Sequence, residues 1–212
     1  MTGVIRLFYS FRDHLRKERS NIAPLQLAGR IEDFLVHQFL VHTFHSSGGR
    51  RFALPNFGNS GERKYDIAIV SVQTLQQPTI QALLEAKYLR NRHLRGIGDA
   101  RDETLTTLRN LHQQLATFDD RKHGGLPVKL AGRRKDVYGL VFGSHVEDGK
   151  RNDKETFFDD CLQKANDIGF RYHDLKRPYW RSAFEDEQVR VLGDTYQLSL
   201  RVGLWRLSTS KR

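Results

Sequence analysis

The chain has 212 residues and a formal net charge of +10. Hydrophobic residues make up 38% of the sequence, which is enough for a folded core and excludes a wholly disordered chain. Its single cysteine excludes a disulfide framework or a thiolate zinc site within one chain.

The excess of positive charge indicates the class of partner. Lys and Arg number 35 against 25 Asp and Glu, and such side chains displace counterions condensed on phosphate backbones. A nucleic acid is therefore the natural partner, although the charge also suits a generically basic protein. No apolar run approaches the roughly 20 residues that span a bilayer. We expect no membrane partner, no secretory signal and a cytoplasmic location.

The first part of the sequence predicts a helix followed by a loop. Residues 1–20 are basic and suit either a short strand or a helix. A helix is predicted over about 24–44, with Asn21 as a candidate cap and Pro24 in its first turn. Pro55, Gly58 and Gly61 predict a loop after this helix.

Two apolar, partly alternating segments predict a β-hairpin. They cover residues 65–72 and 79–88, and the six residues between them suit a hairpin loop. Pro78 cannot donate a hydrogen bond to a neighbouring strand, so it belongs at the edge of that loop.

The second half predicts alternating helices and strands. A helix is expected near 100–118, a buried strand over 137–146 and a helix near 153–168. Short strands follow from about 170, around a turn at Gly193–Asp194. This order predicts the α/β class, with a central mixed β-sheet flanked by helices.

The chain length suits one domain. We predict a single domain over 1–212, with a core over about 22–175 and a C-terminal β-strand extension over about 176–212.

The hairpin brings three charged side chains to one face. If the loop is symmetric, Val72 pairs with Thr79, and counting outward sets Asp66 opposite Glu85. Directly opposed residues have Cβ atoms roughly 5 Å apart on the same face. Lys87 lies two residues beyond Glu85, so it shares that face.

Two carboxylates this close repel each other, so either one takes up a proton or a cation lies between them. Oxygen ligands with open positions suit Mg²⁺ or Mn²⁺, which polarise a phosphodiester and lower the pKa of a bound water. The backbone carbonyl of Ala86 is a further candidate ligand, and Lys87 is placed to orient the water or neutralise charge on the phosphate. The alternative is an ordinary cross-strand salt bridge among Asp66, Glu85 and Lys87.

The order Asp66, hairpin, Glu85-Ala86-Lys87 resembles the PD-(D/E)XK nuclease superfamily, which includes restriction endonucleases and archaeal-type Holliday junction resolvases. The likeness covers about residues 30–145. It implies a restriction endonuclease-like core and hydrolysis of DNA that depends on a divalent metal. It also implies that Asp66 and Glu85 bind the metal and that Lys87 is catalytic. The residue before Asp66 is Tyr65 rather than the proline of the family pattern, which many members also lack.

Many members of this superfamily also carry an acidic residue on the helix before the hairpin. Glu32 is the candidate here, because the residues around it on a helix are mostly apolar. An isolated carboxylate on an apolar face is costly, and a metal-bound water or Lys87 would offset that cost. Asp33 is the substitute if the helix is rotated, and an ordinary surface glutamate is the alternative.

Three basic segments are candidates for contact with nucleic acid. The residues are Arg90, Arg92, Arg95, Arg133, Arg134, Lys135, Lys176 and Arg177. The last two belong to the segment KRPYWR, which mixes basic and aromatic groups. That segment suits stacking on an unpaired base, or it packs its tryptophan on the core. The run Arg133, Arg134 and Lys135 is more typical of contact with the phosphate backbone than of base readout.

The sequence therefore predicts a Mg²⁺-dependent DNA endonuclease, of restriction or defence type. Holliday-junction resolution, repair and a toxin-like effector nuclease stay open, as does a non-catalytic nucleic-acid-binding protein of the same fold. A structural protein whose charge serves solubility is a further alternative. Cleavage of two strands favours a homodimer, and the lack of a Walker-type loop predicts no nucleotide cofactor.

Overall fold

The computed structural model describes residues 3–28, 31–57, 65–72, 79–91, 100–116, 129–130, 137–147, 154–172 and 175–207. The helices among them are α1 (Gly3–Lys17), α2 (Arg19–Ala28), α3 (Glu32–Ser46), α4 (Ala100–Ala116) and α5 (Lys154–Ile168). The strands are β1 (Arg51–Phe57), β2 (Tyr65–Ser71), β3 (Thr79–Arg90), β4 (Lys129–Leu130), β5 (Val137–Glu147), β6 (Phe170–Tyr172), β7 (Arg181–Val191) and β8 (Asp194–Leu207).

The eight described strands form one mixed sheet. Its main path runs β1-β2-β3-β5-β8-β6, with β4 beside β3 and β7 beside β8. β3 is parallel to β5 and β4, while β2 with β3 and β5 with β8 are antiparallel. The C-terminal strands, predicted as an extension, thus include β8, which lies between β5 and β6 within the sheet.

Helices cover both faces of this sheet. Gly139 and Ser144 of β5 are five residues apart, so they face opposite sides of the strand. A Cβ at Gly139 would meet Leu111 of α4, whereas Ser144 accepts a hydrogen bond from Gln26 of α2. The α/β class, with a mixed sheet flanked by helices, is confirmed.

The main hydrophobic core fixes the hairpin from one side. Leu35 and Phe39 of α3 lie in the same buried cluster as Ile67 of β2 and Leu84 of β3. This packing buries one face of both strands, and a second buried cluster that includes Ala68, Val70 and Leu83 covers the other face.

The single helix predicted over 24–44 is wrong, because the chain forms two helices there. α2 ends at Ala28 and α3 begins at Glu32. Gly29 lies between them in the sequence, and glycine is the weakest helix former after proline. Asn21 and Pro24 lie inside α2 rather than at a helix start. The N-terminal basic segment, left open between strand and helix, is the helix α1.

The loop predicted around Pro55 is also wrong over part of its length. Residues 51–57 form β1, which pairs with β2 along the edge of the sheet. The residues of β1 are exposed or half-buried. The sequence there therefore lacks the clear alternation of apolar and polar residues that marks a strand with one buried face. An edge strand tolerates Pro55, since one side of its backbone needs no ladder partner.

The register of the β2–β3 hairpin differs from the prediction near the loop and agrees with it near the charged residues. Ser71, not Val72, pairs with Thr79. The register then shifts between Ile69 and Val70, so that β3 contributes one extra residue and Ile67 pairs with Leu84. This β-bulge restores the predicted pairing at the other end of the hairpin.

The second half follows the predicted order. α4, β5 and α5 match the expected elements, and α5 is followed by Gly169 with a φ of 97°. The C-terminal hairpin turns at Leu192 and Gly193, one residue earlier than predicted, and both have positive φ. β7 begins at Arg181 and pairs with β8 across this turn. No helix in the described ranges is long and apolar enough to cross a membrane.

Candidate active site

Asp66, Glu85 and Lys87 converge at the end of the β2–β3 hairpin. The pairing of Ile67 with Leu84 continues to set Asp66 opposite Glu85. Lys87 Nζ lies 3.3 Å from Glu85 Oε1 and 3.8 Å from Asp66 Oδ2. The predicted convergence is confirmed as geometry, and the catalytic role of these residues stays a prediction.

The three side chains differ in their exposure to solvent. Their exposed fractions are 4% for Glu85, 19% for Lys87 and 35% for Asp66. A carboxylate as buried as Glu85 needs compensation, and the neighbouring ammonium provides part of it. The cluster therefore opens to solvent on the side of Asp66.

Asp66 also binds the backbone of β3. Its Oδ2 accepts a hydrogen bond of 2.8 Å from the N–H of Ala86. The N–H and C=O of one residue in an extended strand point to the same edge. The Ala86 carbonyl, predicted as a further metal ligand, therefore faces the edge where Asp66 lies.

Glu32 reaches the same edge of β3 from the first turn of α3. It accepts a hydrogen bond from the N–H of Tyr88, two residues after Ala86. Burial raises the pKa of Glu32, while the Lys87 ammonium and the Tyr88 N–H oppose this rise. Asp33, the substitute candidate, is exposed, and its charge raises the pKa of Glu32 further. The structure thus brings Glu32 to the cluster.

The end of β2 explains why two carboxylates bind this edge. Because β2 and β3 are antiparallel, the pairing stops at the first residue of β2, Tyr65, whereas β3 continues to Arg90. Backbone groups of β3 beyond the end of β2 need other partners. Asp66 and Glu32 supply them at alternate residues, which a strand presents on one edge.

A buried polar network holds the last residues of β3 against β5. The Tyr88 hydroxyl is buried near Ser144, and burial raises the pKa of Tyr88 to about 12. Gln26 Nε2 donates to Ser144 Oγ at 2.8 Å. Asn91 donates from Nδ2 to the Val146 carbonyl at 3.0 Å and accepts from the Val146 N–H at 2.9 Å.

The side chain of Asn91 thus replaces one backbone unit of the ladder and extends the β3–β5 pairing. Gln26, Asn91 and Ser144 are not among the site residues predicted from the sequence. No sequence signal was available, because each acts through a partner that is distant along the chain.

The oxygen donors of the cluster fit Mg²⁺ or Mn²⁺ in their chemistry. In the structure, the cation that Asp66 and Glu85 share is the Lys87 ammonium. Among the residues that the structure describes, no group of three or more His, Cys, Asp or Glu side chains is arranged to hold a metal ion. Metal binding therefore stays a prediction, based on two carboxylates and the Ala86 carbonyl.

Three of the predicted nucleic-acid contacts lie in the described residues. Arg90 is partly exposed at the end of β3, and Lys176 and Arg177 are exposed before β7. The others, which lie outside the described residues, are Arg92, Arg95, Arg133, Arg134 and Lys135.

Comparisons with known proteins gave no match to a family model, a curated protein or a solved structure. The likeness to the PD-(D/E)XK superfamily therefore depends on the hairpin residues alone. Membership of that superfamily stays a prediction.

Proposed function

We propose that this protein is a metal-dependent nuclease with a restriction endonuclease-like core, and that it hydrolyses phosphodiester bonds in DNA. One observation carries the proposal. The buried Glu85 and the partly exposed Asp66 share the Lys87 ammonium at one end of a hairpin. Charges inside largely apolar strands are costly, so their presence indicates a function rather than a surface ion pair.

Each residue of the cluster has a role in this proposal. Asp66 and Glu85 hold the metal ion, with the Ala86 carbonyl as a further oxygen ligand. Bound Mg²⁺ or Mn²⁺ supplies positive charge to the phosphodiester and acidifies the attacking water. Lys87 orients that water or neutralises charge that develops on the phosphate. Glu32, held by the Tyr88 N–H, supports Lys87 through its negative charge.

The charge of the chain supports DNA as the substrate. The net charge is +10, and Arg90 directly follows the strand that carries Glu85 and Lys87. Arginine there is suited to hold a phosphate next to the one that is cut. Within this class we favour an endonuclease of restriction or defence type, acting as a cytoplasmic homodimer. Resolution of branched DNA and repair are the alternatives.

A non-catalytic nucleic-acid-binding protein is the second candidate. It is favoured by the hydrogen bonds from the N–H groups of Ala86 and Tyr88 to the carboxylates of Asp66 and Glu32. These bonds stabilise the edge of β3 without any metal. This candidate predicts salt-dependent binding of DNA with no cleavage.

The test is a cleavage assay on supercoiled plasmid, linear duplex, single-stranded and branched DNA. Each substrate is incubated with Mg²⁺, with Mn²⁺ or with chelator. We expect cleavage with metal only, and a loss on the order of 100-fold or more in Asp66→Asn and Lys87→Met. Cleavage that persists in both variants would overturn the assignment of this site.

Lys154→Met is the matched control. Lys154 has the same exposed fraction as Lys87, 19%, and it also contacts two carboxylates. Its Nζ lies 3.1 Å from Glu185 and 2.8 Å from Asp186. This variant loses an equivalent ion-pair network away from the hairpin, so its cleavage should match that of the wild type. DNA binding without cleavage in any metal would support the second candidate.

A further inference from the structure

A cleft separates α5 from the segment that leads into β7. Its volume is about 430 Å³, within the range of small-molecule sites. Its lining includes Asp159, Leu162, Gln163, Asn166, Arg177 and Tyr179. None of these residues belongs to the hairpin cluster, so the cleft needs an explanation of its own.

Tyr179 presents an exposed ring to this cleft. The exposed fraction of this residue is 41%. The Arg181 guanidinium lies over the ring, 4.9 Å from its centroid, and the ring of Tyr172 meets it edge to face at 5.9 Å. Arg181 is itself held by a hydrogen bond of 3.2 Å from Nη2 to the Tyr9 hydroxyl. One face of Tyr179 is therefore supported by protein.

The backbone around Tyr179 is fixed by two tryptophans. Trp205 Nε1 donates to the Tyr179 carbonyl at 2.9 Å, and Trp180 Nε1 donates to the Phe158 carbonyl at 3.2 Å. Both tryptophans are buried. The burial of Trp180 confirms the alternative predicted for the segment KRPYWR, in which its tryptophan packs on the core. Tyr179 is thus a preorganised aromatic platform, and a ligand that stacks on it meets little ordering cost.

Polar groups line the other wall of the cleft. Asp159, Gln163 and Asn166 are exposed and lie four and three residues apart, on one face of α5. Each amide offers both a donor and an acceptor, and the carboxylate offers acceptors only. Arg177 is exposed at the rim, where its backbone carbonyl accepts a hydrogen bond of 2.9 Å from the Tyr172 N–H.

We propose that this cleft binds an unstacked base of single-stranded DNA. The base stacks on Tyr179, the amides of α5 contact its polar edge, and Arg177 contacts the adjoining phosphate. Aromatic platforms beside basic side chains are the usual means of binding single strands without strict sequence preference. The choice of DNA rests on the proposed function, while the cleft itself takes no part in hydrolysis.

The test is the fluorescence anisotropy of a labelled single strand and of the matching duplex, both measured in chelator so that no cleavage occurs. We expect Tyr179→Leu to weaken single-strand binding by about 5- to 150-fold, because one stacked base is lost. Tyr179→Phe keeps the ring and should bind within about 3-fold of the wild type. Arg177→Gln should lower the salt dependence, with a change of about 0.7 in the slope of log K against log salt.

The controls separate stacking from charge and from folding. Phe52→Leu removes another exposed ring, on β1, and should leave binding unchanged. A strand without bases should bind wild type and Tyr179→Leu equally. Unchanged emission from the two tryptophans beside the cleft shows that the variant is folded. Equal affinity of wild type and Tyr179→Leu for the normal strand would overturn the proposal. Failure to cleave DNA with metal would overturn only the nuclease.

Discussion

Asp66 Oδ2 accepts a hydrogen bond of 2.8 Å from the backbone N–H of Ala86, the residue between Glu85 and Lys87. A side chain of β2 is therefore bound to the middle of the segment that carries the other two charged groups. This contact has a structural role that does not need the negative charge, since a neutral amide oxygen also accepts a hydrogen bond. The charge and the hydrogen bond of Asp66 can be separated by mutation.

Asp66→Asn should keep the fold and lose the activity. Its amide oxygen can replace Oδ2 as the acceptor, so the free energy of unfolding should change by less than about 0.5 kcal/mol. Asp66→Ala removes the acceptor and should cost about 1 kcal/mol, because water partly replaces it at this partly exposed position. Urea denaturation measures both. Equal destabilisation by the two variants would show that the charge, not the hydrogen bond, stabilises the hairpin.

Lys87→Met should lower stability through Glu85. The variant leaves a nearly buried carboxylate without its neighbouring ammonium, which costs about 3 kcal/mol. Adding Glu85→Gln removes the negative charge, so the double variant should recover at least half of that loss. Urea denaturation of both variants measures this recovery.

Lys154→Met is the stability control for this pair. Its partners Glu185 and Asp186 are more exposed than Glu85, so the loss should be at most about 1 kcal/mol. Losses of equal size at Lys87 and Lys154 would contradict the special cost that we assign to the buried Glu85.

His42 should make the protein less stable in mild acid. Burial, together with the charges of His14 and His45, lowers the pKa of His42 from 6.5 to about 4. Between these pH values the unfolded chain binds a proton that the folded protein does not. Stability should therefore be unaffected by His42 above pH 6.5 and fall from pH 6.5 towards pH 4. The loss is about 1–3 kcal/mol for this partly buried ring.

The measurement is urea denaturation across this pH range for wild type and His42→Gln. The Ser10 hydroxyl is 2.9 Å from His42 Nε2, and the His14 ring stacks on His42 at 5.0 Å, so the variant also loses packing. The decisive quantity is the slope of stability against pH, which the variant should reduce. His37→Gln, at an exposed position of the same helix, should leave the slope unchanged.

Cys161 should resist alkylation in the folded protein. The side chain is fully buried on α5, and burial raises the pKa of its thiol to about 12, so little of the reactive thiolate exists at neutral pH. It is the chain's one cysteine, so incorporated label reports on α5 alone. Iodoacetamide should label the protein in urea and not in native buffer. Rapid native labelling would mean that α5 separates readily from the core.

The residues of the hairpin were predicted well because their signal is local. Apolar segments, a short loop between them and alternation along each strand place Asp66, Glu85 and Lys87 on one face. A symmetric loop predicts that Thr79 pairs with Val72, whereas its partner is Ser71. The difference arises from a β-bulge, which alternation alone does not predict. The bulge also restores the predicted register where the charged residues lie, so the error near the loop did not reach them.

The sequence by itself determined the α/β order of elements and the spacing of the charged residues on β2 and β3, since both depend on neighbours along the chain. Only the tertiary structure decided how Glu32 reaches Tyr88, that β8 lies beside β5, and that Tyr179 faces a cleft. These features depend on contacts between residues far apart in the chain. Long-range packing of this kind leaves no periodic pattern in the sequence.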